Sequence, residues 1–153
     1  MTFSFALYGG LAQGITAGKL SEIHRLSFQD SAEQVWTPAE ISSLLLNPDT
    51  RAMTIRQDAQ AIGFLMWRQA REEGEILTLC ILPAFRAQGM ASRILQEFYL
   101  LAKKAKVEEI FLEVREDNVP AIGLYEKNAF RIVGRRKNYY GDKDALIMKY
   151  IMK

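Results

Sequence analysis

A chain of 153 residues has room for one domain with a core of its own and little beyond it. Apolar residues make up 49% and charged residues 25%, and twenty Lys+Arg against eighteen Asp+Glu leave a net charge of +2, too small a surplus for a dedicated nucleic-acid binder. Cys80 is the single cysteine and His24 the single histidine, which excludes an internal disulfide and a Cys/His zinc site. The chemistry is therefore expected from carboxylates, hydroxyls, amines and backbone groups, with no metal. The first basic residue is Lys19, and no apolar run approaches the ~18 residues of a membrane span, so a soluble cytoplasmic protein is expected.

Thr2–Tyr8 alternates as an opening strand, and Gly9, Gly10 and Gly14 loosen the chain before a helical stretch over Ala17–Phe28. Thr37-Pro38-Ala39-Glu40 starts a second helix: Thr37 caps, Pro38 suits the first helical position, and Glu40 reaches back to complete a capping box. Asn47-Pro48-Asp49 ends it. Three strands follow at Arg51–Gln57, Ala61–Gln69 and Glu75–Leu82, separated by turns at 58–60 and 71–74. From Met90 to Ala105 the period becomes helical, with Ile94, Leu95, Phe98, Leu101, Ala102 and Ala105 on one face. Ile110–Val114 is a short strand, Val119–Lys127 a helix capped by Asn118, and Arg131–Tyr139 and Ala145–Ile151 are strands joined around Gly141-Asp142. The order β-α-α-β-β-β-α-β-α-β-β predicts an α/β (α+β) domain: a mixed, largely antiparallel sheet of about seven strands, flanked by about four helices, with one β-α-β crossover.

Two segments carry chemistry. In the first, a strand runs through Leu79, Cys80 and Ile81 into Pro83 and a short loop, and Arg86-x-x-Gly89-x-Ala91 opens the long helix. A helix N-terminus offers free N–H groups and the positive end of its dipole to a pyrophosphate, and small residues at 89 and 91 admit an anion close to the backbone. On spacing alone, a plain turn accounts for the segment equally well. Neither G-x-x-x-x-G-K-[ST] nor G-x-G-x-x-G occurs. In the second segment Glu113 lies within a strand, where partial shielding from water would raise its pKa and suit it to general-base work. Tyr125, on the following helix, carries a phenol that can donate a proton. Taken singly, a solvent-facing Glu and a Tyr at the edge of a core account for both.

Together the two segments resemble the Gcn5-related N-acetyltransferase (GNAT) superfamily, whose acetyl-coenzyme A motif, Q/R-x-x-G-x-G/A, is matched by Arg86-x-x-Gly89-x-Ala91. The C-terminal half is most similar to the RimI group, which acetylates the N-terminal alanine of a small-subunit ribosomal protein. The matching stretches are Leu112–Arg115, Asn118, Ala121-Ile122, Leu124–Glu126, Arg136–Tyr140 and Asp144–Met148, with Trp36-Thr37 a further point of likeness. The resemblance implies that residues 1–153 form a single GNAT domain using acetyl-coenzyme A. It implies backbone contacts from Leu79, Cys80 and Ile81 to the pantetheine arm, and a pyrophosphate cradle of Arg86, Ala87, Gln88, Gly89, Met90, Ala91 and Ser92. It also implies a coenzyme hydrogen bond from Asn118, Glu113 as general base, Tyr125 as general acid, and Trp36, Tyr139 and Tyr140 at the acceptor. Two departures stand out: Ala129-Phe130 replaces the family's Gly-Phe, and Gln29–Val35 is longer than in enteric members.

The expected activity is acetyl transfer to a protein N-terminal amine. The alternatives are a GNAT acting on a lysine side chain or small amine, and a non-catalytic coenzyme-binding or ribosome-associated module. Cys80 reads as buried filler and His24, in Ser21-x-x-His24, as a structural histidine rather than part of a hydrolase site. Arg135-Arg136-Lys137 with Tyr139 and Tyr140 reads as a solvated strand end, a coenzyme phosphate contact, an acceptor-recognition element or an RNA-docking patch. The resemblance favours acceptor recognition for the two tyrosines.

Overall fold

In the computed structural model, which describes residues 2–9, 17–29 and 34–153, the strand-forming runs join into one seven-stranded sheet. Along the chain come β1 (Phe3–Gly9), α1 (Ala17–Phe28), α2 (Pro38–Leu46), β2 (Thr50–Gln57), β3 (Gln60–Ala70) and β4 (Glu73–Ile81). They are followed by α3 (Met90–Lys104), β5 (Glu109–Arg115), α4 (Val119–Lys127), β6 (Arg131–Tyr140) and β7 (Lys143–Ile151). The strand order is β1-β2-β3-β4-β5-β7-β6, and every neighbouring pair is antiparallel except β4 and β5, which α3 connects as a crossover. Gly10, Gly14 and residues 30–33 lie outside the described residues. No helix among the described residues is long and apolar enough to cross a membrane.

The elements occur in the predicted order, and the differences are local. The first two hairpin turns take two residues each, Asp58-Ala59 and Arg71-Glu72, because Asp58 and Arg71 adopt a left-handed φ of 53° and 56°. The strands therefore run closer to the turns than the three- and four-residue loops expected from composition. The connection from β4 to α3 contains a 3-10 turn at Pro83–Phe85. At α2 the cap is Thr37, whose hydroxyl accepts the Glu40 N–H at 3.2 Å; the Glu40 carboxylate bonds that hydroxyl at 3.3 Å rather than a backbone N–H.

Both faces of the sheet are covered, but unevenly. Leu20 and Ile23 of α1 and Ile41 and Leu45 of α2 pack on Tyr8, Ala52, Ala61, Phe64, Met66 and Cys80, so these helices sit over β1–β4 alone. On the opposite face Ile94, Leu95 and Phe98 of α3 and Tyr125 of α4 cover residues from β2 across to β7, including Ile110, Leu112 and Val114. The alternation along β5 therefore turns Phe111, Glu113 and Arg115 toward a face that α1 and α2 do not reach.

His24 belongs to the first layer. It is 2% exposed, its ring stacks on Trp36 at 4.9 Å and lies near Phe28 and Phe64, and its Nδ1 accepts the Trp36 N–H at 3.3 Å. Burial among uncharged rings lowers its pKa to about 4. Above the unfolded value of about 6.5 both states are neutral. As pH falls from there toward 4, only the unfolded chain takes up the proton, so stability declines by roughly 3 kcal/mol through that window. Urea midpoints measured between pH 7 and 4 should show the difference between wild type and His24→Gln shrinking as pH falls; a pH-independent difference would refute the assignment.

Helix α4 ends in a Schellman motif: Phe130 N–H bonds Tyr125 C=O at 2.9 Å, Ala129 N–H bonds Glu126 C=O at 3.1 Å, and the Phe130 ring packs edge-on to Tyr125 at 5.5 Å. The left-handed position, φ 73°, is held by Ala129 in place of glycine. Ala129→Gly should relieve about 1 kcal/mol of that conformational cost and raise Tm by a few degrees in a thermal melt.

Candidate active site

Strand β4 is paired with β3 along its whole length, from Ala70↔Glu73 to Gly63↔Ile81. The register shifts between Met66 and Trp67, whose partners are Thr78 and Ile76, so Leu77 is an extra residue and β4 bulges there. On its other side β4 meets β5 only at Glu73, Gly74 and Glu75. From Ile76 onward no described strand pairs with that edge, and a backbone edge without a ladder partner is a ready template for hydrogen bonding to a ligand. Gly63 lets β3 hold β4 close: a Cβ there would stand 2.4 Å from the Cys80 carbonyl oxygen.

The parting of the two strands opens a groove. One cavity, of about 930 Å³, lies between Ile76–Leu79 of β4 and Leu112–Arg115 of β5. A second, of about 580 Å³, runs from Leu79, Cys80 and Ile81 to Arg86, Ala87 and Ala91. The two share Phe28, Leu79, Arg115, Asn118 and Ala121, so they form one continuous channel along the open edge. The Cys80 side chain faces the α1–α2 layer, where burial pushes its thiol up to about 12.

At the far end of the channel the chain turns into α3 through two left-handed residues, Ala87 at φ 60° and Gly89 at φ 78°. Gly89 is the N-cap and carries no side-chain cap, which leaves the first N–H groups of α3 without an acceptor from that residue. An added Cβ on Gly89 would meet nothing within 4 Å, so its demand is conformational rather than one of space. Of the predicted cradle, Arg86, Ala87 and Ala91 line the channel. Met90 is buried in the core, and Gln88 bonds the Ala84 carbonyl at 3.4 Å. Ser92 Oγ accepts from Asn128 Nδ2 at 3.1 Å, and Arg86 donates to the carbonyls of Ile81 and Ser27. Arg86 thus ties the turn to β4 and α1 with two of its donors.

At the near end, Glu113 of β5 and Tyr125 of α4 line the same cavity. They come from opposite faces of the sheet: Tyr125 belongs to the α3–α4 layer, whereas Glu113 alternates with Leu112 and Val114, which point into that layer. Asn118 Oδ1 caps α4 by accepting the Ala121 N–H at 3.3 Å, and its side chain borders both cavities. Trp36, Tyr139 and Tyr140 complete the wall, with the two tyrosines edge-to-face at 5.0 Å.

In and beside this wall, the pairings of three further groups were not foreseen from sequence. Arg136 Nε lies 2.7 Å from Glu113 Oε1, reaching over β7 from β6. Arg115 forms a bidentate pair with Asp117 at 2.9 and 3.1 Å, which holds the Asp117 carboxyl below its usual range. Asp144, buried on β7, accepts the Asn138 N–H at 2.8 Å and Arg135 Nη1 at 2.8 Å, and those two bonds, in that order, hold its carboxyl low. These bonds anchor the irregular stretch between Arg136 and Tyr140, where β6 slips its register against β7 and Asn138 takes φ 51°. Arg135 also pairs with Glu116 at 2.9 Å and Lys137 approaches Asp144 at 3.7 Å, so the basic run is largely spent on pinning this segment. A single acidic residue two positions before the buried Leu146 was the sequence signal for Asp144; its partners become visible only with the β5-β7-β6 order.

The profile of the acetyltransferase (GNAT) family matches residues 18–130. A ribosomal protein bS18-alanine N-acetyltransferase of Haemophilus influenzae is 31% identical over 118 residues, covering 72% of this chain and 80% of that protein. The N-alpha-acetyltransferase RimI of Mycobacterium tuberculosis is 31% identical over 120 residues, 74% of each chain. Among solved structures, the ribosomal-protein-S18-alanine N-acetyltransferase of Escherichia coli superposes with a TM-score of 0.80 at 21% identity, covering 98% of this chain and 95% of that one.

Proposed function

The chain belongs to the acetyltransferase (GNAT) family, and on that footing we propose that it transfers an acetyl group from acetyl-coenzyme A to a protein N-terminal α-amine, its acceptor being the N-terminal alanine of a small-subunit ribosomal protein. Residues 1–153 act as one catalytic domain, working in the cytoplasm where its ribosomal substrate is made. The observation that carries the reading is the meeting of Glu113 and Tyr125 in one cavity from opposite faces of the sheet, beside Trp36, Tyr139 and Tyr140. The acceptor is taken from what the relatives are named for.

The residues fit the coenzyme. An extended amide-bearing arm suits the unpaired edge of β4 from Ile76 to Ile81, where it would complete the missing ladder, and a pyrophosphate suits the uncapped N-terminus of α3. Leu79, Cys80 and Ile81 contribute backbone, Asn118 its side-chain amide, and Arg86–Ser92 the turn. Bound there, acetyl-coenzyme A supplies an acetyl group already activated as a thioester. Backbone N–H groups of β4 beside the Leu77 bulge would be the donors for charge developing on the thioester carbonyl oxygen. Glu113 takes a proton from the acceptor nitrogen at its carboxylate, directly or through a water. An α-amine, with a pKa near ~8, yields that proton more readily than a lysine. Tyr125 holds a proton at Oη for the departing sulfur. Placing both reactants in one channel supplies much of the rate.

Incubation with acetyl-coenzyme A and two peptides tests the reading by mass spectrometry: one begins with a free alanine, the other is N-blocked and carries an internal lysine. Acetylation of the first alone is expected, and acetylation of the lysine peptide alone would overturn it. Glu113→Gln should lose at least about 100-fold in kcat while coenzyme affinity stays the same, and Tyr125→Phe should also lower kcat; full activity in either variant removes that residue from the mechanism.

A further inference from the structure

The channel wall carries four arginines: Arg86 donates to backbone carbonyls, and the other three are ion-paired, Arg68 with Glu75 at 2.6 Å, Arg115 with Asp117, and Arg136 with Glu113. The last pair differs from the others in what it occupies. Its carboxylate is the one assigned above to receive the acceptor's proton, and its guanidinium stands on Oε1 at 2.7 Å, in the space an incoming ammonium needs. The Glu113 side chain is 24% exposed, so its charge is partly withdrawn from water and gains from a cation nearby. The Arg136 side chain is 57% exposed, and a pair of that kind is held weakly enough to exchange. In the same position the Arg136 guanidinium also lies 5.5 Å from the ring of Tyr139, itself exposed, a contact it can keep when the carboxylate is given up.

We propose that Arg136 is a displaceable stand-in for the acceptor ammonium. It neutralises Glu113 in the free protein, yields the carboxylate to the substrate's α-ammonium, and settles against Tyr139 while the acceptor is bound. The exchange replaces one cation by another, so Glu113 is never left without a counter-charge. It also gives the channel a direction. The acetylated product is an uncharged amide that cannot hold Glu113 as a cation does, so once Glu113 has released the acceptor's proton to water, Arg136 returns to the carboxylate and favours product release. The acceptor class that follows is a chain terminus arriving as an ammonium. The proposal rests on the assignment of Glu113 to the acceptor nitrogen.

Calorimetric titration in the presence of coenzyme A, which permits no turnover, tests it with an alanine-starting peptide and its N-acetylated form. Against wild type, Arg136→Gln should bind the free peptide about fivefold more tightly, because the internal competitor is gone, and should not gain affinity for the acetylated one. Glu113→Gln should lose the preference for the free amine. If Arg136→Gln binds the free peptide no more tightly while Glu113→Gln still loses the preference, the stand-in role is overturned and the assignment of Glu113 stands. If Glu113→Gln keeps the preference, the assignment falls and the proposal falls with it. Arg136 is a surface side chain, so the comparison does not turn on folding.

Discussion

Strands β4 and β5 run together for three residues and then part, and the working half of the molecule is arranged around that parting. Backbone N–H and C=O groups without partners are costly to bury, so an unladdered edge within a sheet is kept only where water or a ligand meets it. Here the edge is prepared from the other side. Gly63 lets β3 approach the Cys80 carbonyl, and the bulge at Leu77 re-aims the strand along the first cavity. The crossover helix α3 begins just beyond the end of β4, so its N-terminus comes to the far end of the same opening.

Uneven cover over the two faces explains how Tyr125 and Glu113 come together. Helices α1 and α2 protect β1–β4 and leave the Glu113 face of β5 clear, whereas α3 and α4 cover the opposite face and carry Tyr125. In a continuous sheet these side chains would be separated by the sheet itself. With the strands apart, each reaches the gap from its own side. The Schellman motif at Ala129-Phe130 fixes the end of the helix turn that bears Tyr125, and Asn118 fixes its start. Asp144 does the corresponding work for the segment that carries Arg136, Tyr139 and Tyr140. Caps and one buried carboxylate thus hold the segments that line the channel.

The order of elements was legible because hydrophobic period and turn chemistry are local. The near-continuous apolar run from Ala61 to Trp67 signals a strand buried on both faces, as β3 is. The motif Arg86-x-x-Gly89-x-Ala91 marked the turn into α3, and Gly89 with its positive φ shows why glycine stands there. What sequence could not reveal depends on partners distant in the chain. The Leu77 bulge is defined only against Trp67 and Met66. Ser92 belongs to the predicted cradle by position, yet its hydroxyl is taken up by Asn128, thirty-six residues away. Arg135, Arg136 and Lys137 look alike as a basic run and divide between Glu116, Glu113 and Asp144 once β7 lies between β5 and β6. Family resemblance bridged part of that gap by linking Glu113 to Tyr125, which periodicity alone does not connect.

In the proposed function the coenzyme lies along the open edge of β4. Backbone hydrogen exchange, followed with and without acetyl-coenzyme A, reads that edge directly. Slowed exchange within Ile76–Ile81 and at the first residues of α3, with β6 unchanged, is the predicted result. Binding that leaves those amides exchanging as before, or protects a different strand edge, would contradict it.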